Sequence, residues 1–428
     1  MTWREDAEAL LTHAFMAGVG AAHPDGFMEN ETVRTALAEV ISETKGRTLV
    51  LGAGKASAAM AAALEREWRA LGGGLINGLV ATREGYVCPT SFVDIAIGGH
   101  PTPAPKSTEI AMRMLEHARS LAENDLLIGL WSGGGSSLLA CPADGISFEG
   151  FLALTKTLLA SGADIHEINT VRKHLSRISG GRLAQAAAPA RIFNLIIPDV
   201  VGEDEEARLS AIASGPCVPD PTSLEDAFRI VERYGLSVPL DALTETPRSW
   251  EEIGIHRRRA LVMDDGKSLA AAADALKGEG FEILHEENNV TGEAREIAHA
   301  HAAMAMAAYK SGKRLAIVTG GELTVTVKGS GKGGPNQEYA LALALALDGA
   351  AGIIALAGDT DGIDGMGSAA GALVLPDTLA RMRAAGIDPQ SALNTNDSGS
   401  AFAAIGDLLI TGPTLTNLND LHLIVING

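Results

Sequence analysis

Short apolar runs that each end in a turn rich in glycine or carboxylate recur along this chain, and that recurrence narrows the folds open to it. Thr48–Leu51, Leu126–Trp131, Arg191–Ile197, Leu315–Val318 and Ile353–Ala357 read as buried strands, because unbroken apolar runs of strand length suit a sheet covered on both faces. Ile76–Ala81 and Val93–Ile97 are further strands. Helical periodicity appears at Ala7–Ala14, Thr32–Ile41, Ala56–Ala70, Lys106–Ala122, Phe148–Ser161 and Ile165–Arg177. This β/α alternation with short connections predicts a doubly wound, Rossmann-like parallel sheet in an α/β fold.

At 428 residues the chain exceeds one ordinary core, so two domains are expected. The Pro- and acid-rich stretch Val238–Glu252 reads as a connector, giving an N-terminal domain over 1–250 and a C-terminal domain over 251–428. In the second, helices Lys267–Gly278 and Gly292–Lys310 alternate with strands Phe281–Leu284 and Leu315–Val318. Glu322–Val327 alternates with period two, an antiparallel signal that predicts a mixed sheet.

A net charge of −19 argues against a nucleic-acid or anionic-membrane partner. Ala340–Ala357 is the longest apolar stretch, but Asp348, Gly349 and Gly352 break it into a helix and a strand. Cys88, Cys141 and Cys217 are sparse and form no C-x-x-C pair, which points to a reducing compartment. The N-terminus lacks a signal-peptide pattern, so a cytoplasmic protein is expected.

The turns carry the chemistry. Gly52-Ala53-Gly54-Lys55-Ala56-Ser57 is not a P-loop: Ala56 replaces the Mg²⁺-binding hydroxyl, and the first glycine would fall on Leu49. It is also an incomplete dinucleotide motif, with Ser57 at the third glycine position. Lys55 beside free N–H groups at a helix start would make an anion-binding point; a plain tight turn is the bland alternative. Ser132-Gly133-Gly134-Gly135-Ser136-Ser137 is a second such turn, either a backbone cradle for phosphate or carboxylate or a close strand–helix contact. It lacks the final glycine of a nucleophile elbow.

On the helix after Ile165, Ile168, Val171, Leu175 and Ile178 form the buried stripe, and Asn169, Arg172, Lys173 and Ser176 the polar face. Two cations and an amide there could receive a carboxylate or phosphate, unless they form a solvated face. Asp199 ends a strand, a position suited to a general base or metal ligand. Gly320-Gly321-Glu322, the run Gly329–Glu338, and Gly358-Asp359-Thr360-Asp361-Gly362-Ile363-Asp364-Gly365 join glycines with carboxylates, which suits phosphate and Mg²⁺. The last is no EF-hand, because Ile363 and Asp364 break positions five and six.

These segments in this order resemble the type-2 glycerate kinases, whose C-terminal part is the MOFRL domain. Gly99-His100-Pro101, Asp199-Val200-Val201-Gly202, Ser214-Gly215-Pro216, Gly334–Glu338 and Thr411-Gly412-Pro413-Thr414 add to the match, which runs over most of the chain. The resemblance implies two α/β domains with the active site in the cleft between them. It also implies ATP- and Mg²⁺-dependent phosphorylation of D-glycerate at the 2-hydroxyl, with a homodimer left open. Some similar bacterial sequences are called hydroxypyruvate reductases, so an NAD(P)H-dependent reductase is the rival.

Lys55, Asp199 and Arg172 are then the expected catalytic residues. Substrate or nucleotide binding is expected at Gly54, His100, Ser132, Gly133, Gly134, Gly135, Ser136, Asn169, Lys173, Gly321, Glu322, Lys332, Asn336, Gln337, Asp361 and Asp364. The metal candidates are Asp199, Glu322 and Asp359. Many members carry arginine where this chain has Pro335. Proline suits the first turn of a helix, so a helix N-terminus aimed at the ligand, with Arg172 or Lys332, is expected to stand in for the missing charge.

Overall fold

The computed structural model describes residues 3–200, 205–264, 266–365 and 367–428. The chain divides into two compact units: Pro24–Met263, and Asp264–Gly428 together with Met1–His23. Sequence reasoning puts a single boundary at 250/251 and assigns the first residues to the N-terminal domain. The structure instead carries the first unit through one more strand and gives the opening helix to the second unit.

The Pro24–Met263 unit holds a six-stranded sheet: β1 (Thr48–Ala53), β2 (Ile76–Thr82), β3 (Val93–Ile97), β4 (Leu126–Trp131), β5 (Arg191–Ile196) and β6 (Arg258–Val262). The order is β3-β2-β1-β4-β5-β6, with every pairing parallel. Every residue of β1, β4 and β5 is buried, as their apolar runs require. The order reverses between β1 and β4, and in such sheets ligands bind outside the carboxyl ends at the reversal. The two N-terminal glycine turns follow these two strands. The edge strand β6 escapes sequence reading because Arg258 and Arg259 interrupt its apolar pattern; charge is what a solvent-facing sheet edge needs.

The other unit holds β7 (Glu282–Glu293), β8 (Arg314–Thr324), β9 (Ile353–Asp359), β10 (Gly371–Val374), β11 (Leu408–Leu409) and β12 (Asp420–Asn427). Their order is β11-β10-β9-β12-β8-β7, and the sheet is mixed. Its antiparallel character does not come from Glu322–Val327. Glu322, Leu323 and Thr324 close β8 and pair in parallel with β7. That character comes from β12, inserted antiparallel between β8 and β9, and from β10, which pairs antiparallel with both β9 and β11. Ala340–Ala357 resolves into the helix Pro335–Leu347 and strand β9, and no helix among the described residues is long and apolar enough to cross a membrane.

Side chains alternate along β12 and supply two cores. Ile424 and Ile426 pack with the helices Ala294–Tyr309 and Pro335–Leu347. Leu421, Leu423 and Val425 pack with Leu11, Ala14, Phe15 and Val19 of the helix Trp3–Ala21, as a period of two dictates. Phe15 is fully buried there. Phe15→Ala is therefore expected to cost about 3–5 kcal/mol. Hydrogen exchange should show the loss in β9 and β12, far along the chain, with the strands of Pro24–Met263 unchanged.

Candidate functional site

The turns after β1 and β4 interlock. The Lys55 N–H donates to the Gly133 carbonyl (2.9 Å), the Ala56 N–H to Ser132 Oγ (3.0 Å), and the Ser132 N–H to the Ala53 carbonyl (3.2 Å). Ser132 Oγ also meets Ser57 Oγ at 3.2 Å. Gly54 has φ +145°, and a Cβ there would overlap Ser132. The Gly54 N–H goes to Ala81 (3.1 Å) and the Ser57 N–H to Gly54 (3.3 Å). The N–H groups from Gly54 to Ser57 are thus all committed internally, contrary to the expectation of free donors beside Lys55. A dinucleotide pyrophosphate relies on such donors.

The second turn is different. Gly134 takes a left-handed conformation, φ +83°, and the N–H groups of Gly133 and Gly134 donate to no described residue. Successive N–H groups around a left-handed residue form an anion-binding concavity. A Cβ on Gly134 would crowd both Lys55 Cγ (3.3 Å) and His100 Nε2 (2.7 Å), so glycine lets these two side chains close on the turn. Burial first, then the charges of Lys55 and Arg83, push His100 down to about 3. His100 is therefore a neutral ring at physiological pH, and its buried Nδ1 lacks a hydrogen-bond partner among the described residues.

Arg172 lines a small cleft with Ser136, Ser137, Ser176, Ser179 and Ser214. It makes no ion pair with a described residue, and burial lowers its pKa. A half-buried guanidinium among hydroxyls suits a carboxylate or phosphate. Ser136 Oγ lies 2.7 Å from Ser214 Oγ. Ala213 and Ser214 both hold positive φ, 53° and 58°, a backbone cost that concentrates at functional sites. Asn169 is buried on the same helix as Arg172. Asp199 stands directly beyond β5, and Val201–Asp204 of the segment after it lies outside the described residues.

Lys173 is not part of this cleft's free charge. Its Nζ bonds Ser210 and sits 3.0 Å from Asp220. Asp220 also accepts from the Thr222 N–H (3.0 Å), Thr222 Oγ (2.8 Å) and Thr246 Oγ (3.0 Å). Adjacent helical positions point about 100° apart, so Arg172 reaches the cleft while Lys173 enters the interior. Ser176 belongs to the polar face legible on the helix, but Asp220, Ser179 and Thr246 escape sequence reasoning because they are scattered. Ser214-Gly215-Pro216 carries a local signal.

In the other unit, the helix Pro335–Leu347 has proline at its first turn as expected, and a carboxylate of the same chain takes its first N–H groups. Asp364 accepts the N–H groups of Asn336 (3.1 Å) and Gln337 (2.8 Å), capping the helix. Burial nonetheless raises Asp364 to about 6, against the pull of those N–H groups. Asn336 Nδ2 donates to Asp420 Oδ1 (2.6 Å). Burial and the neighbouring Glu322 push Asp420 well above the ordinary carboxylate range. Asn336 Oδ1 is left buried without a partner among the described residues.

Asp359 and Asp361 shape their own loop by accepting the N–H groups of Asp361 (2.8 Å) and Ile363 (2.7 Å). Gly321 lets β8 approach the Val290 backbone. Lys332 is exposed, its N–H bound to Asp397 (2.8 Å). Among the described residues no three His, Cys, Asp or Glu side chains converge on a metal position. Mg²⁺ commonly keeps its waters and takes only one or two carboxylates beside substrate phosphates. The orphaned Asn336 oxygen among carboxylates has donor chemistry that fits such an ion.

Residues 10–245 match a family model described as a domain of unknown function (DUF4147), and residues 315–420 match the MOFRL family. The D-glycerate 2-kinase of Thermotoga maritima is 42% identical over 386 residues, covering 88% of this chain and 89% of the relative. The chain belongs to the glycerate kinase family. A crystal structure of glycerate kinase from Thermotoga maritima superposes with a TM-score of 0.82 at 36% identity, over 99% of this chain and 100% of that one. A protein of Agrobacterium vitis whose name proposes a hydroxypyruvate reductase is 45% identical over 439 residues, covering 100% of this chain and 96% of its own. Names within this family thus divide between two chemistries, and the committed N–H groups of Gly54–Ser57 bear on the choice.

Removing either partner of the Lys173–Asp220 pair leaves a buried charge. Asp220→Ala and Lys173→Met are each expected to destabilise the fold by about 3–5 kcal/mol, with Arg172→Met much milder in urea denaturation. Burial raises the Asp220 pKa, but Lys173 and Thr222 outweigh it and hold the group below the ordinary value. Its stabilisation is therefore full above the unfolded carboxylate pKa and lost as pH falls through the folded one. The Asp220→Ala protein should show a shallower acid transition than the parent.

Proposed function

We infer that this chain is a glycerate kinase that transfers a phosphoryl group from ATP to D-glycerate, at the 2-hydroxyl. The observation that carries the reading is the pairing of the Gly133–Gly134 cradle beside Lys55 with the Arg172 cleft, next to a β1 turn with no N–H left for a dinucleotide. Phosphoryl transfer needs alignment and charge neutralisation more than covalent help. The cradle and Lys55 bind phosphate oxygens and offset the charge that spreads over them. Arg172 and the surrounding serine hydroxyls hold the glycerate carboxylate, which fixes the position of the neighbouring hydroxyl. Asp199, at the carboxyl end of β5, accepts the hydroxyl proton. His100, neutral by burial, packs against the cradle without adding charge.

When bound, Mg²⁺ would neutralise the nucleotide phosphates; Asp199 of the first unit, or Glu322 and Asp359 of the second, are the carboxylates that would hold it. The capped helix at Pro335 adds no free dipole, because Asp364 already occupies its end.

Incubation with D-glycerate, ATP and Mg²⁺ should give 2-phosphoglycerate by phosphorus NMR; formation of 3-phosphoglycerate would refute the stated position. Lys55→Ala should lower kcat by about 10²-fold or more. Arg172→Met should raise the KM for D-glycerate by about tenfold while moving that for ATP far less. An Arg172→Met protein with unchanged glycerate KM would remove Arg172 from the substrate site.

A further inference from the structure

The first unit carries a second basic cavity at the opposite end of its sheet. It has a volume of about 640 Å³ and lies below the first residues of β4, β5 and β6: Leu126, Arg191 and Arg258. Ligands of such sheets normally bind at the carboxyl ends, so this cavity is separate from the Lys55 cradle. In a chain of net charge −19, its wall gathers Lys45, Arg191, Arg257, Arg258 and Arg259 against the carboxylates Glu39 and Glu43.

Both carboxylates are already matched. Glu43 pairs with Arg191, and Glu39 with Arg259. Lys45 and Arg257 have no ion-pair partner among the described residues. Arg258 lies over the Trp250 ring, 5.1 Å from its centroid. Arg191 is the decisive group. It sits on an interior strand with only 9% of its surface exposed, and its Nη1 finds no hydrogen-bond partner among the described residues. A buried donor of this kind is costly unless something accepts from it.

Protection of the β6 edge would explain arginines on that strand. It explains neither a buried guanidinium on β5 nor a concave volume of ligand size. We propose that this cavity is a second binding site for a small phosphate-bearing metabolite, with Arg191 Nη1, Arg257 and Lys45 as its donors. Arginine forks match phosphate oxygens in pairs, and the apolar wall of Val40, Leu126 and Ile192 would face the carbon part of the ligand.

The test is calorimetric titration of the full chain with inorganic pyrophosphate and, separately, with glucose 6-phosphate. A Lys55→Ala background suppresses the cradle. Saturable binding of either probe should persist in that background and weaken by about tenfold or more on adding Arg257→Glu. Arg257 is exposed, so this change leaves the fold intact; Arg191→Met is the second variant and should act in the same direction. Two results would overturn the proposal. One is no binding of either probe at millimolar concentration in the Lys55→Ala protein. The other is binding that both Arg257→Glu and Arg191→Met leave unchanged, including the case where Arg257→Glu alters only self-association in sedimentation.

Discussion

The contact on which the first unit's chemistry depends is the lock between the turns after β1 and β4. Glycine opens both crossing points: Gly54 must pass against Ser132, and Gly134 must admit Lys55 and His100. Ser132 Oγ and the Gly133 carbonyl take the N–H groups of Ala56 and Lys55. One turn thereby becomes a rigid backing and the other keeps its donors outward. A strand order shared with dinucleotide-binding sheets thus presents a different surface to a ligand, and fold alone does not settle chemistry.

The second unit meets a related problem with carboxylates. A helix start lined by Asn336, Gln337 and Glu338 would attract an anion, but the chain supplies its own in Asp364. Pro335 fits this arrangement because the first helical N–H has no acceptor to lose. Glu338, with a pKa raised by burial, is held by Arg295 and by Asn396 at 3.0 Å. Charge in this segment is balanced from within.

Much of this was legible in the residues. Strands β1, β4 and β9 are near-continuous apolar runs, and β8 holds one at Leu315–Val318; such runs announce burial on both faces. The glycine turns stand where strand and helix periods meet. Strand β6 is hard to read because an edge strand tolerates Arg258 and Arg259, and periodicity does not say which core the opening helix joins. At the site, Lys55, His100 and the Ser132–Ser137 turn are adjacent in space and near strand ends in sequence. Lys173 and Arg172 look equivalent along the chain; only the position of Asp220, brought from a distant loop, separates an interior charge from one that faces a cleft. In sequence, a carboxylate in a glycine loop looks the same whether it meets a metal or caps a helix, and Asp364 takes the capping position.

A β1 turn whose N–H groups are all committed leaves no donors for a nicotinamide dinucleotide, which favours the kinase over hydride transfer. The most direct measurement runs both reactions on one purified preparation: ADP release from ATP with D-glycerate, and absorbance loss of NADH or NADPH with hydroxypyruvate. The account predicts glycerate-dependent ADP release and no oxidation of either nicotinamide. Sustained NADH or NADPH oxidation without ADP formation would contradict it.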